Sequence, residues 1–560
     1  MSAPTSSSRR ATLGALGLYL ALSAFFFALP LAGDLRDHAI AADQLDSSAY
    51  MWFFAWWPDA LGDGLSAIHT EDVFVPEGYN LAWTTAMPGP SMVLAPLTLA
   101  FGPLATWNAI MLIGPALAAW TAFLLCRELT GATLPALAGG YLFGFSPYML
   151  GNVQGSPNLV LVWLLPLLVL LVVRHARGKL GGRAFVVAMT LALAFQFLTS
   201  TEVLAMTGLF GGLTLVAAWL LLPEWRTRLV ETLKLLVVAS VAAVILVSPL
   251  LWYMLFEPYT VPEQALKSFP ADLLSWVVPS SYIGLATGHD PGDGPSYATG
   301  FGYLGVPLAL LLVLFAGDGH RRPAARIVLV ALAVTAVASL GTRLQVGGED
   351  TGVPMPWAIF SGLPGLEYAI PVRFAGFTFL AAAVALALWL SWRGGAWRWG
   401  LALLAIAFVL PNVGNAIWRT PSADPPLIAD GGYRALLDEE DRVLTVPAWG
   451  PNMRWQANTA FDFKLAAGYL GAFPESYARY PIWQTLLSGR LIPDYEAELR
   501  RFVRDKGVTA VLVQAGAGEP WAQLFGSLGV RPRQAGGMLL YRLAPPPGET
   551  ALVRYDRQPR

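Results

Sequence analysis

The stretch DQLDSSAYMWFFAWWPDALGDG, Asp43 to Gly64, sets four carboxylates around a run that is mostly aromatic. It follows closely on the first long apolar segment, ATLGALGLYLALSAFFFALPLA, residues 11–32. That segment is longer than the core of a secretory signal, and no small-residue cleavage pattern closes it, so it reads as a retained membrane span. Ten further apolar runs recur at about 104–126, 131–149, 158–173, 184–200, 203–222, 235–256, 301–316, 326–341, 374–391 and 399–411. Inside lipid each must be helical, because the bilayer core offers the backbone no hydrogen-bond partners. Only 13% of the 560 residues are charged and 55% are hydrophobic, whereas a soluble surface takes roughly 25% charge. The chain is a polytopic membrane protein by composition.

Arginines and lysines gather in alternate connections: Arg9 and Arg10; Arg174, Arg177, Lys179 and Arg183; Arg226, Arg228 and Lys234; Arg321, Arg322 and Arg326; Arg393 and Arg398. The positive-inside rule then places the N-terminus in the cytoplasm, and an odd number of spans places the C-terminus outside. Three long connections, 33–103, 257–300 and 342–373, are expected to face outward from a helical domain covering residues 1–411. The first of them carries nine carboxylates before Met87 against one arginine, Arg36. PSMVLAPLTLAFGP, within it, is too short and too interrupted by proline to span, and reads as a re-entrant or interfacial helix. A Pro- and acid-rich linker is expected over 412–432. Beyond it, over 433–560, RVLTVPA, VTAVLVQ and MLLYRL read as strands, and EAELRRFVRDKG and EPWAQLFGSLG as helices. The expected fold is therefore an all-α polytopic domain of about eleven spans followed by a small extracytoplasmic α/β domain, in the plasma membrane.

Asp46, Tyr50, Phe53 and Trp57 repeat at helical spacing. The segment is aromatic on nearly every side, which suits a helix lying in the headgroup zone with Asp46 at its start. An N-terminal cap by Asp46 or Ser47 is the plainer use of the same residues.

Together with FVPEGYNLAWTTAMPGPSMVLAPLTLAFGP and SLGTRLQVGGEDTGVPMPWAIFSGLPGLEYAIPVRF, the stretch resembles actinobacterial membrane proteins of the GT-C glycosyltransferase type. The resemblance covers most of residues 1–411. It implies transfer of a sugar from a polyprenyl-phosphate carrier to a glycan, lipid or protein acceptor on the outer side. It also implies an acidic residue soon after the first span. Asp46, ahead of WFFAWWP, matches that pattern, and Asp34 and Asp37 are secondary candidates. No paired-acid motif stands there, so a divalent metal is not indicated and no cofactor is expected. The chemistry fits the residue types, since a carboxylate takes the acceptor's proton and a fixed cation meets the leaving phosphate. Arg373 in IPVRFAGF and Arg343 are the candidate phosphate ligands, the guanidinium fork being matched to phosphate oxygens; either also suits a snorkelling anchor. Glu202 in QFLTSTEVLAM lies in a tight turn between two spans and is a further acidic candidate, where Ser200 or Thr201 supplies an ordinary cap.

GFGYLG, Gly300 to Gly305, has the lettering of a dinucleotide loop but no strand ahead of it, and together with GYLFG, Gly140 to Gly144, reads as a helix-packing element. His38, His69 and His289 lack metal-ligand spacing. The single cysteine, Cys126, excludes an internal disulfide and a multi-cysteine zinc site. A net charge of -1 gives no footprint for nucleic acid. Two other functions fit the composition: a transporter or lipid flippase, and a non-catalytic scaffold of the same fold in envelope assembly. The scarcity of charge within the spans weighs against transport of polar substrates.

Overall fold

The computed structural model describes residues 6–31, 33–42, 46–64, 66–256, 269–286, 301–363, 366, 369–392, 395–413, 416–446, 448, 450–471 and 473–543. Each expected span contains helix. The helices run Ser6–Ser23, Pro103–Thr130, Thr133–Gly144, Pro157–Val160 leading into Leu164–Ala176, Gly182–Phe197, Thr201–Leu221, Arg226–Phe256, Gly305–Gly319, Pro323–Ser339, Ala375–Trp392 and Ala396–Phe408. Among the described residues six stretches are long and apolar enough to cross a membrane, and four more apolar helices are shorter. The expected span at 131–149 breaks in two. Its first helix stops at Gly144, Ser146 accepts a capping bond from the Met149 N–H, and Pro147 opens a second helix, Pro147–Val153. Proline at the first helical position favours this restart.

The described chain divides into two compact units. The first, Met1–Asp43, Trp107–Leu251 and Pro262–Ser422, holds most of the apolar helices. Its centre is Ala375–Trp392, buried along almost its whole length. Small residues permit close approach to it. A Cβ on Gly139 would lie 2.8 Å from the Ala383 carbonyl oxygen, and one on Gly144 would lie 2.5 Å from that of Pro115. Glycine at these positions is therefore a packing requirement, as the sequence of Gly140 to Gly144 leads one to expect.

The second unit joins Gln44–Thr106 and Trp252–Val261 to Ala423–Arg560. Its five-stranded sheet has the order Arg533–Ala535, Met538–Arg542, Ala510–Gln514, Arg442–Val446, Lys464–Leu465; the first three pair antiparallel and the last three parallel. The three expected strands and both expected helices, Tyr495–Lys506 and Trp521–Gly526, are present. Two sequence expectations change here. Residues 44–106 group with the sheet domain and not with the apolar helices. The helix Asp46–Gly62 is buried in that domain's core and does not lie in a headgroup zone: Trp52, Phe54 and Trp56 are at most 1% exposed. Its tryptophans are satisfied by protein, since Trp52 Nε1–H donates to Gln456 Oε1 at 2.8 Å and Trp56 stacks on Trp52 with Phe461 edge-on to both. Aromatic residues on every side of a helix mark full burial as readily as a lipid interface.

Residues 412, 413 and 416–432 of the expected linker are structured as well. Trp418 is fully buried and Arg419–Pro421 pairs antiparallel with His38–Ile40, while the Leu427 N–H donates to the Gly536 carbonyl. Apolar anchors within a Pro-rich composition fix both halves. PSMVLAPLTLAFGP forms two short helices, Pro88–Val93 and Ala95–Phe101, neither of spanning length, with Val93, Leu99 and Phe101 exposed. Asp43, His289 and most of 257–300 lie outside the described residues.

Candidate functional site

The helix Thr201–Leu221 begins with Ser200 accepting from the Val203 N–H, so the cap role falls to Ser200 and leaves the Glu202 carboxylate for other work. Asn158 Nδ2 and Gln196 Nε2 donate to Ser200 Oγ and O, at 3.5 and 3.4 Å. Arg373 sits in the turn Pro371–Phe374 that leads into the central helix. Phe374, fully buried, packs edge-on against Phe210 at 5.2 Å and Trp357 at 4.6 Å. Phe210 lies two turns along from Glu202, so one aromatic contact sets the arginine's turn against the glutamate's helix. The result is an ion pair: Arg373 Nη1 donates to Glu202 Oε2. The other carboxylate oxygen, Oε1, accepts from the Ile370 N–H at 3.2 Å. Both side chains keep some exposure, 30% for Arg373 and 20% for Glu202.

The pair lines a cleft whose other walls are apolar or aromatic, among them Tyr148, Leu159, Met206 and Phe377. Among the described residues of that lining, Glu202 and Arg373 are the charged ones. Tyr148, from the short helix Pro147–Val153, lies flat over Gly376, where a Cβ would meet its ring at 2.9 Å. Neither Tyr148 nor Gly376 was legible as a site residue. Their signal, a break before Pro147 and a glycine in the first turn of an otherwise alanine-rich helix, needs the fold to connect them.

The remaining candidates are not among the described residues that line this cleft. Arg343 pairs with Asp350 at 3.5 Å across the hairpin Arg343–Val346/Glu349–Pro354 and is mostly exposed. Asp34 pairs with Arg419 and with His38 Nδ1 at 3.2 Å, bracing the Arg419–Pro421 strand. Asp37 is exposed, and its backbone carbonyl accepts from the Ser422 N–H. Asp46 belongs to the second unit, half-buried at the first position of its helix, and receives the Tyr469 hydroxyl on Oδ1 at 3.0 Å. Further along the same helix, Asp59 is half-buried near Asp63, Asp72 and Asp462. Burial, and then those like charges, push its carboxyl up to about 6. Among the described residues no group of three or more His, Cys, Asp or Glu side chains is placed to hold a metal ion.

Solved structures share this architecture at very low identity. The oligosaccharyltransferase AglB of Archaeoglobus fulgidus, tethered to an acceptor peptide, aligns with a TM-score of 0.55 and 12% identity over 96% of this chain and 75% of its own. The arabinofuranosyltransferase AftD from mycobacteria gives 0.60 and 13%, over 96% of this chain and 42% of its own. ArnT of Cupriavidus metallidurans bound to undecaprenyl phosphate gives 0.51 and 11%, over 94% and 98%. The fold resembles that of GT-C membrane glycosyltransferases. Residues 47–410 match the family described as "Domain of unknown function (DUF6311)", and the chain belongs to that family. No curated protein matches it.

Proposed function

We propose that the protein is a membrane glycosyltransferase that takes a sugar from a polyprenyl-phosphate carrier and places it on a hydroxyl acceptor outside the cytoplasm. The observation that carries this is the Arg373–Glu202 pair, set in an apolar-walled cleft at one end of the hydrophobic helices. A transporter would need polar groups along a path through the bilayer, whereas this charge stands at helix ends. The fold's likeness to enzymes that include one bound to undecaprenyl phosphate points the same way.

In this reading Asp46 is the general base and Arg373 the phosphate ligand. The acceptor oxygen attacks the anomeric carbon and gives its proton to a carboxylate base, for which Asp46 is the candidate. The bond from that carbon to the phosphate oxygen breaks, and the electron pair leaves with the phosphate, whose growing charge the guanidinium offsets. Tyr469 keeps one Asp46 oxygen fixed while the proton is taken. Sugar and acceptor are open to a direct screen. Purified protein in vesicles is to be incubated with a panel of labelled polyprenyl-phosphate sugars and lipid, glycan or peptide acceptors. Transfer from one donor, with release of polyprenyl phosphate, is the expected result. Binding of the carrier without transfer across the panel would favour the scaffold reading.

A further inference from the structure

We infer that Glu202 tunes the cleft to prefer the donor's phosphodiester over the product's phosphomonoester, and so drives the spent carrier out. This rests on the reading of Arg373 as the carrier-phosphate ligand. Arg373 does not face an arriving phosphate as a bare cation. Its guanidinium engages Glu202 Oε2, and the Ile370 N–H pins the carboxylate's other oxygen. Among the described residues of the cleft lining these are the two charged side chains, and their charges offset each other before a ligand enters. A sugar-linked phosphodiester brings one negative charge. Breaking its sugar–oxygen bond leaves a monoester, which carries about 1.5 to 2 negative charges near neutral pH. Reaction therefore adds about half a charge or more beside a fixed carboxylate. At roughly 6 Å and an effective dielectric of about 20, half a charge corresponds to about tenfold in affinity. An arginine alone would have the opposite bias, holding the dianionic product more tightly than the monoanionic donor. Glu202 offsets that bias in the low-dielectric cleft. It is a specificity-determining residue, distinct from the base.

The test uses two short-chain probes, farnesyl phosphate and its methyl diester, titrated into the full-length protein in detergent. The wild type is expected to bind the diester at least as tightly as the monoester. Glu202→Gln keeps the shape and the acceptor for Ile370 but removes the charge. It is expected to gain affinity for both probes, and about tenfold more for the monoester. Glu202→Asp, which retains the charge, is expected to keep the wild-type order. An unchanged monoester-to-diester ratio in Glu202→Gln, with binding still dependent on Arg373, would overturn this inference and leave the phosphate reading standing. A wild-type preference for the monoester of tenfold or more would overturn it without recourse to any variant. Binding of both probes by Arg373→Ala as tightly as by the wild type would remove the phosphate reading and this inference with it.

Discussion

Asp46 is half-buried, heads a 17-residue helix and holds the Tyr469 hydroxyl. Asp46→Asn preserves volume and an oxygen acceptor for Tyr469 but cannot take a proton, so turnover is expected to fall about 10²- to 10⁴-fold. Circular dichroism and thermal unfolding should stay near wild type; normal turnover in a folded variant would move the base elsewhere. Arg373→Ala is expected to weaken donor use by on the order of 2–5 kcal/mol, measured as kcat/KM for the donor. Arg373→Lys should recover only part, because a point charge does not reproduce the fork. Asp59 is a stability site. Its carboxyl is raised from 3.8 to about 6 in the fold, so the folded state holds a proton more tightly than the unfolded chain. That contribution is full below about 4 and is lost as pH rises through about 6. Asp59→Asn should therefore raise the melting temperature at pH 7–8, with the gain shrinking toward pH 4.

The helix Asp46–Gly62 carries the main lesson about elements. Trp52 bonds Gln456, whose amide nitrogen in turn donates to the carbonyls of Asp72 and Phe463, while the Val75 N–H donates to Leu465. Residues more than 380 positions apart thus share one core. Trp52→Ala is expected to cost about 3–5 kcal/mol, as loss of a large buried aromatic does, and to appear as earlier unfolding of the sheet domain by intrinsic fluorescence. The apolar helices were legible because twenty-residue hydrophobic runs have one solution in lipid. The strands Arg442–Val446, Ala510–Gln514 and Met538–Arg542 were legible as short, nearly continuous apolar runs, the first two rich in valine. The partner of the aromatic helix was not, because periodicity records that a face is buried and not what buries it. Glu202 and Arg373 were each visible as charges at span ends. Their pairing depends on Phe210 meeting Phe374, which no local pattern encodes.

At the scale of the molecule, the shared core means that residues 433–560 are not an appendage. Removing them would strip Gln456 and Phe461 from Trp52, Phe461 from Trp56 and Tyr477 from Phe74, three side chains each under 2% exposed. The truncated chain should aggregate or be degraded in the membrane, measured as loss of a monodisperse peak in detergent, whereas a dispensable tail would leave the remainder intact. The same domain reports topology. If the basic connections face the cytoplasm, a reporter active only there should be silent when fused after Arg560. Docking of a carrier phosphate on Arg373 is open to observation in an experimental map of the protein with polyprenyl phosphate bound. Phosphate oxygens are expected within hydrogen-bond reach of the Arg373 guanidinium, about 2.7–2.9 Å, with the prenyl chain leaving along the apolar wall. A phosphate seated at Arg343, with Arg373 still closed on Glu202 alone, would contradict that docking.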